Sequence, residues 1–139
     1  IIRYIEKENL QTKEIKKKPV YLQYLHSKIY KLKKNEGYSI LTGGKNKLSV
    51  IDLDIKDWTI DNKFIKYCCE KLDLEIKENV KDTVIDIVNK INTYTVKSPN
   101  GFHLYFHNKN GQNISNTQDN KENVDVRGEG GLIIGAYTQ

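Results

Sequence analysis

The sequence contains few cysteines and no long apolar run. Its two cysteines, Cys68 and Cys69, are adjacent, which suits neither an ordinary structural disulfide nor a zinc site whose paired ligands lie about two to four residues apart. Every apolar run falls far short of the ~20 residues of a membrane span, and we expect no membrane span and no secretory signal. We therefore expect an intracellular protein of a reducing compartment that has no membrane partner.

Methionine is absent and arginine is rare, with two residues in the chain. A chain of 139 residues has the size of one globular domain, so we predict a single domain over residues 1–139. Because the first residue is Ile1, we also expect this domain to be a fragment of a longer protein.

Positive charge is concentrated in the first third of the chain. Residues 1–47 carry 12 basic and 4 acidic residues, whereas residues 48–139 carry 11 and 14. Six lysines stand out: Lys16, Lys17, Lys18, Lys31, Lys33 and Lys34. This asymmetry can place a cationic surface for phosphate-bearing partners beside an acidic site, but the charge pattern alone favours a solvated lysine-rich face.

Residue patterns predict an α+β domain. Helical spacing of apolar residues predicts helices from Pro19 to about Gly37, over 62–72 and over 80–91. Strands are predicted over 38–41, 48–55, 94–97, 103–107, 124–127 and 132–135, with hairpin turns at 98–101 and 128–131 and a mobile polar loop at 108–123. Both cysteines are predicted on the packed face of a helix. Strands, hairpins and intervening helices together favour a mostly antiparallel sheet.

Asp52 and Asp54 are the first candidate functional residues. Side chains alternate along a strand, so these carboxylates project from one face, about 6.6 Å apart along the strand. Between apolar neighbours, two like charges favour a bound cation, and Mg²⁺ prefers such hard oxygen ligands. The alternative is a strand end at which both carboxylates are solvated.

Two later segments carry further candidates. In Ser98-Pro99-Asn100-Gly101-Phe102-His103, a turn delivers a histidine to the start of a strand, where it can contact a phosphate or remain a partly buried histidine. In Val124-Asp125-Val126-Arg127-Gly128-Glu129-Gly130-Gly131, Asp125 offers a third carboxylate, and Arg127 can meet a phosphate or pair with Asp125.

Taken in order, these segments resemble the primase-polymerase (Prim-Pol) family of the archaeo-eukaryotic primase superfamily. The resemblance covers about residues 38–136 and includes Thr42-Gly43, Val50-Ile51-Asp52-Leu53-Asp54, the Ser98 to Phe106 segment, and Val124 to Ile134. The composition, rich in lysine, asparagine and isoleucine, further resembles the N-terminal domain of large-DNA-virus primase-helicases, although a plasmid or phage origin fits too. The histidine segment is one residue shorter than the family's pattern and has a single glycine.

The resemblance implies an RRM-like catalytic sheet with flanking helices and a small N-terminal α/β module. It implies that Asp52, Asp54 and Asp125 hold two divalent metals, Mg²⁺ or Mn²⁺, and that His103 contacts the nucleotide triphosphate, with Ser98, Asn100 and Arg127 beside it. Nucleotidyl transfer from (d)NTPs to a primer 3′-hydroxyl or a first nucleotide on single-stranded DNA is the implied activity. The six lysines would then bind nucleic acid.

A replicative helicase, fused or separate, is the expected partner. The expected location is the host cytoplasm or nucleus for a viral protein, or the cytoplasm for a plasmid or phage protein. Two alternatives stay open: a catalytically silent nucleic-acid-binding module, and a replication-initiator nuclease. The nuclease requires two histidines separated by one residue, and His103 and His107 have a different spacing.

Overall fold

The computed structural model describes residues 13–14, 39–108 and 111–135. The helix predicted from Pro19 to about Gly37 and the six lysines Lys16, Lys17, Lys18, Lys31, Lys33 and Lys34 lie outside the described residues.

Two antiparallel sheets form the framework of the described region. The strands are β1 (Lys13–Glu14), β2 (Ser39–Leu41), β3 (Leu48–Asp54), β4 (Thr95–Ser98), β5 (Gly101–His107), β6 (Thr117–Asp119), β7 (Val124–Arg127) and β8 (Leu132–Ile134). The large sheet has the order β1-β4-β5-β3-β7-β6, and β2 pairs with β8 in a separate sheet. This confirms the predicted α+β class with a mostly antiparallel sheet.

Two helices, α1 (Lys63–Leu72) and α2 (Val80–Lys90), connect β3 to β4. Each begins at an asparagine cap: the Asn62 side chain accepts hydrogen bonds from the backbone N–H of Phe64 and Ile65, and the Asn79 side chain accepts from Asp82. These caps satisfy backbone donors that a helix start leaves unpaired. Both helices lie within one residue of their predicted bounds.

The hydrophobic core lies between the helices and one face of the large sheet. Leu53 of β3 and Phe102 and Leu104 of β5 pack there against Ile65 of α1 and Ile87 of α2. Cys68 and Cys69 are buried in the same core as free thiols, which confirms their predicted place on a packed helix face. Because side chains alternate along a strand, the residues between these core positions project from the opposite face.

Two predictions of the chain's path were wrong. The polar loop predicted over 108–123 contains β6, which pairs with β7. All three β6 residues are exposed, so this edge strand is held by backbone hydrogen bonds and has no alternating apolar pattern. Residues 132–135 were predicted to pair with 124–127, whereas β8 pairs with β2, because the backbone N–H of Thr42 binds the Gly131 carbonyl (2.9 Å) and directs the chain toward β2.

No helix among the described segments is long and apolar enough to cross a bilayer.

Candidate active site

Strand register places the candidate residues in one row across three adjacent strands. Asp52, in the central strand β3, lies directly opposite His103 of β5 on one side and Asp125 of β7 on the other. Arg127 follows two residues after Asp125 and opposite Val50, so it projects from the same face. Three segments that are 22 or more residues apart in the chain therefore meet on the face that the helices leave free.

Two polar contacts define this row. His103 Nε2 lies 3.4 Å from Asp52 Oδ1, and Arg127 Nη2 donates to Asp125 Oδ2 at 3.3 Å. The second contact confirms the pairing that the sequence offered as one possibility for Arg127. The side chains of Asp52, Asp125 and Arg127 are each about a quarter exposed, at 27%, 24% and 28%, so solvent and a small ligand can reach them.

The other candidates lie around this row. Asp54 is exposed at the end of β3, on the same face as Asp52, and its Oδ1 accepts a hydrogen bond from the Lys56 backbone at 3.3 Å. Ser98 is buried and shares its face with His103, since it pairs with Gly101. Asn100 is exposed in the turn, and its backbone carbonyl accepts from Ile55 (2.8 Å). The structure therefore groups Ser98 with the row and places Asn100 at the edge of the sheet.

Asp52 is the electrostatically unfavourable member of the row. Burial, together with repulsion from Asp125 and Asp54, raises the pKa of Asp52 from 3.8 to about 6, against the opposing attraction of Arg127. Carboxylates that repel each other in a partly dry site are stabilised by a cation. When Asp52 is ionised, the negative charges around it therefore outnumber the positive charge of Arg127.

His103 is neutral at physiological pH. Burial lowers the pKa of His103 from 6.5 to about 4; a backbone hydrogen bond to Ile134 opposes this shift and the Arg127 charge adds to it. The 3.4 Å contact with Asp52 is consequently made by a neutral imidazole and is not an ion pair. Nδ1 of His103 is buried and has no hydrogen-bond partner among the described residues. A neutral imidazole can thus offer a donor on one nitrogen and an acceptor on the other.

The donor set fits a divalent cation that also binds a substrate. Among the residues with assigned positions, no three His, Cys, Asp or Glu side chains converge as a ready metal cage. Asp52 and Asp125 are nevertheless opposed on neighbouring strands, and Mg²⁺ is usually bound by one or two carboxylates, substrate phosphates and water. The residues therefore fit an ion whose coordination a phosphate-bearing substrate completes.

A cluster of contacts that the sequence did not reveal holds the turn after Arg127. Thr42 Oγ1 donates to the Gly128 carbonyl (2.5 Å), and the Asn116 side chain accepts from the Gly128 N–H (2.8 Å) and donates to the Glu129 carbonyl (2.9 Å). An added Cβ on Gly128 would lie 1.9 Å from the Ile114 carbonyl, so this position requires glycine. Asn116 lies in the polar stretch predicted as a loop, where no pattern marks it.

On the face opposite α1 and α2, the antiparallel sheet carries opposed aspartates beside a neutral histidine, and this arrangement defines a candidate carboxylate site. A family model described as Prim-Pol, bifunctional DNA primase/polymerase, N-terminal, matches residues 10–139. The chain therefore belongs to the Prim-Pol family, which supports a primase/polymerase-type function in DNA replication. A comparison with curated proteins and one with solved structures each gave no match.

Proposed function

We propose that this domain transfers a nucleotidyl group from a (d)NTP to a primer 3′-hydroxyl or to a first nucleotide on a single-stranded DNA template, with Mg²⁺ or Mn²⁺ as cofactor. The observation that carries the proposal is the row His103–Asp52–Asp125 on the sheet face opposite α1 and α2. Family membership supports the reaction class.

The carboxylates have the role of metal ligands in this proposal. Asp52 and Asp125 would hold a cation between β3 and β7, and Asp54 would contribute from the exposed end of β3. When bound, divalent ions supply Lewis-acid activation of the attacking hydroxyl and neutralise charge on the phosphates. The raised pKa of Asp52 supports this assignment, because a cation beside Asp52 would relieve the repulsion that raises it.

His103 and Arg127 would bind the nucleotide. The neutral imidazole lies buried beside Asp52 and carries a single N–H, so contact with a phosphate oxygen would require this N–H to exchange its Ile134 partner for the phosphate. Arg127 uses one nitrogen to contact Asp125 and has further N–H donors in its guanidinium group. Ser98 and Asn100, at the two sides of the turn before His103, are the remaining candidates for contacts with the triphosphate.

Catalysis is tested by incorporation of labelled nucleotides on a single-stranded template, with and without a primer, in Mg²⁺ or Mn²⁺. We expect metal-dependent product from the wild type and at least a 100-fold loss in Asp52→Asn, because one ligand is removed from the reacting centre. Asp57→Asn is the matched control, since Asp57 is an exposed aspartate beyond the end of β3 and should retain activity.

Product that forms equally well with Asp52→Asn would contradict the assignment. Absence of any product, combined with salt-sensitive DNA binding, would favour the silent nucleic-acid-binding module. Product without a primer would identify a primase, whereas product with a primer alone would identify a polymerase.

A further inference from the structure

A groove outside the row of candidate residues opens on the helix side of the large sheet, where β3 ends beside the turn between β4 and β5. It has a volume of about 390 Å³, within the range of roughly 300–1,000 Å³ typical of ligand sites. Pro99, Asn100 and Gly101 line it together with apolar side chains. Of these, Trp58 and Phe102 belong to the hydrophobic core, and Ile55 and Val80 are partly buried against that core.

Among the described residues that line this groove, the charged ones are all lysines: Lys56, Lys81 and Lys97. Lys56 and Lys81 are exposed and form no ion pair with the described residues, and Lys97 Nζ lies 5.9 Å from the centre of the Phe102 ring. The charge of the groove is therefore complementary to a polyanion.

Trp58 provides a second, independent observation. Its side chain lines the groove, is 9% exposed and packs against Phe64 with ring centres 5.8 Å apart. The indole N–H is buried and has no acceptor among the described residues. Such a donor is costly to bury unpaired, so a ligand whose entry exposes the indole N–H and supplies an acceptor would be favoured there.

The groove adjoins the candidate active site through the end of β3. Asp54 projects from the site face, whereas Ile55, the next residue, lines the groove and binds the Asn100 carbonyl. The turn approaches β3 closely: an added Cβ on Gly101 would lie 1.7 Å from the Leu53 carbonyl. A strand that passes Asp54 and crosses this turn therefore reaches the three lysines directly.

We propose that this groove binds the sugar-phosphate backbone of single-stranded nucleic acid next to the reacting nucleotide. Lys56 and Lys81 contact phosphates, and the apolar lining with the Trp58 N–H meets a sugar or a base edge. The assignment rests on the proposed function in one respect, namely that the chain acts on single-stranded nucleic acid. Positively charged grooves with aromatic residues are the usual binding sites for such strands.

The test is a titration of the full chain with oligo(dT), without metal or nucleotide, at several salt concentrations. Because Trp58 is the single tryptophan of the sequence, its fluorescence reports strand entry directly. Each lost phosphate contact should reduce the steepness of log K against log[salt], where K is the association constant for oligo(dT), by about 0.7. For Lys56→Gln/Lys81→Gln we therefore expect a slope that is shallower by about 1.4 and an affinity at 0.1 M salt that is about 25-fold lower.

The matched control is Lys71→Gln/Lys90→Gln, which removes the same charge from the last turns of α1 and α2, outside the groove. This control should bind like the wild type. An equal slope in wild type, test and control variants would overturn the proposal. The proposal would also be overturned if Lys56→Gln/Lys81→Gln lost dTTP binding but kept oligo(dT) binding, because the groove would then hold a mononucleotide.

The strand titration is independent of catalysis. An inactive protein whose strand binding depends on Lys56 and Lys81 would refute the proposed function and support the groove. An active protein whose strand binding ignores both lysines would do the opposite.

Discussion

Removing the Asp52 carboxylate should stabilise the domain while it abolishes activity. The folded-state pKa of about 6 exceeds the ordinary value of 3.8, so the folded chain binds this proton more tightly than the unfolded chain does. Stability contributed by Asp52 is therefore present below pH 3.8, is lost as the pH rises to about 6, and stays lost above that pH. The loss at neutral pH is the cost of keeping an ionised carboxylate partly buried, and of placing it beside Asp125 and Asp54.

The pKa difference sets the size of the effect. At about 1.4 kcal/mol per pH unit, the shift corresponds to an upper value of about 3 kcal/mol. Because the Asp52 side chain is 27% exposed, solvent screening reduces this value, and we expect a gain of about 1 to 2 kcal/mol for Asp52→Asn at pH 7.5. At pH 4.5 the gain should fall to about a third of that at pH 7.5.

Urea denaturation without divalent metal, at pH 7.5 and pH 4.5, measures both values. Asp54→Asn removes the same charge from the same face at an exposed position, so it should change the free energy of unfolding by less than about 0.5 kcal/mol. If Asp52→Asn showed no gain at pH 7.5, or the same gain at both pH values, the electrostatic account of the site would be wrong.

Three further predictions concern the same site. The free energy of unfolding of His103→Gln, relative to that of the wild type, should rise as the pH is lowered from 6.5 to 4. Because the folded-state pKa of His103 is about 4, the wild-type protein loses stability over that interval. Urea melts at several pH values measure the difference in the free energy of unfolding between the two proteins, and a difference that does not change with pH would contradict the prediction. Mg²⁺ at ten times its Kd should stabilise the wild type by about 1.4 kcal/mol but not Asp52→Asn; equal stabilisation of both, measured by thermal melting, would remove Asp52 as a ligand. Thr42→Val should cost about 1–3 kcal/mol in urea melts, because the Gly128 carbonyl loses its buried donor; an unchanged midpoint would show that this contact does not hold the turn.

Local patterns predicted much of the framework correctly. The apolar run around Asp52 predicted β3, and helical spacing predicted α1 and α2, because burial of one face imposes a period on neighbouring residues. The two-residue period of a strand also places Asp52 and Asp54 on one face of β3. The Asp125–Arg127 contact was also predictable, since both residues lie on one strand face two positions apart.

Features that depend on distant segments were not predictable. β6 is exposed and held through its backbone, so its side chains carry no signal, and the pairing of β8 with β2 depends on contacts between Thr42 and the turn after Arg127. The groove likewise combines lysines from a loop, a helix and a strand, and no spacing within the sequence relates them.

The sequence by itself determined where the carboxylate, imidazole and guanidinium groups of the candidate site stand along the strands and which strand face each occupies, because alternation along a strand is a local property. Only the tertiary structure decided that Asp52 lies between His103 and Asp125, and that burial and repulsion change the pKa of Asp52 and His103 in opposite directions. Strand register sets these neighbours, and register depends on pairing between segments far apart in the chain.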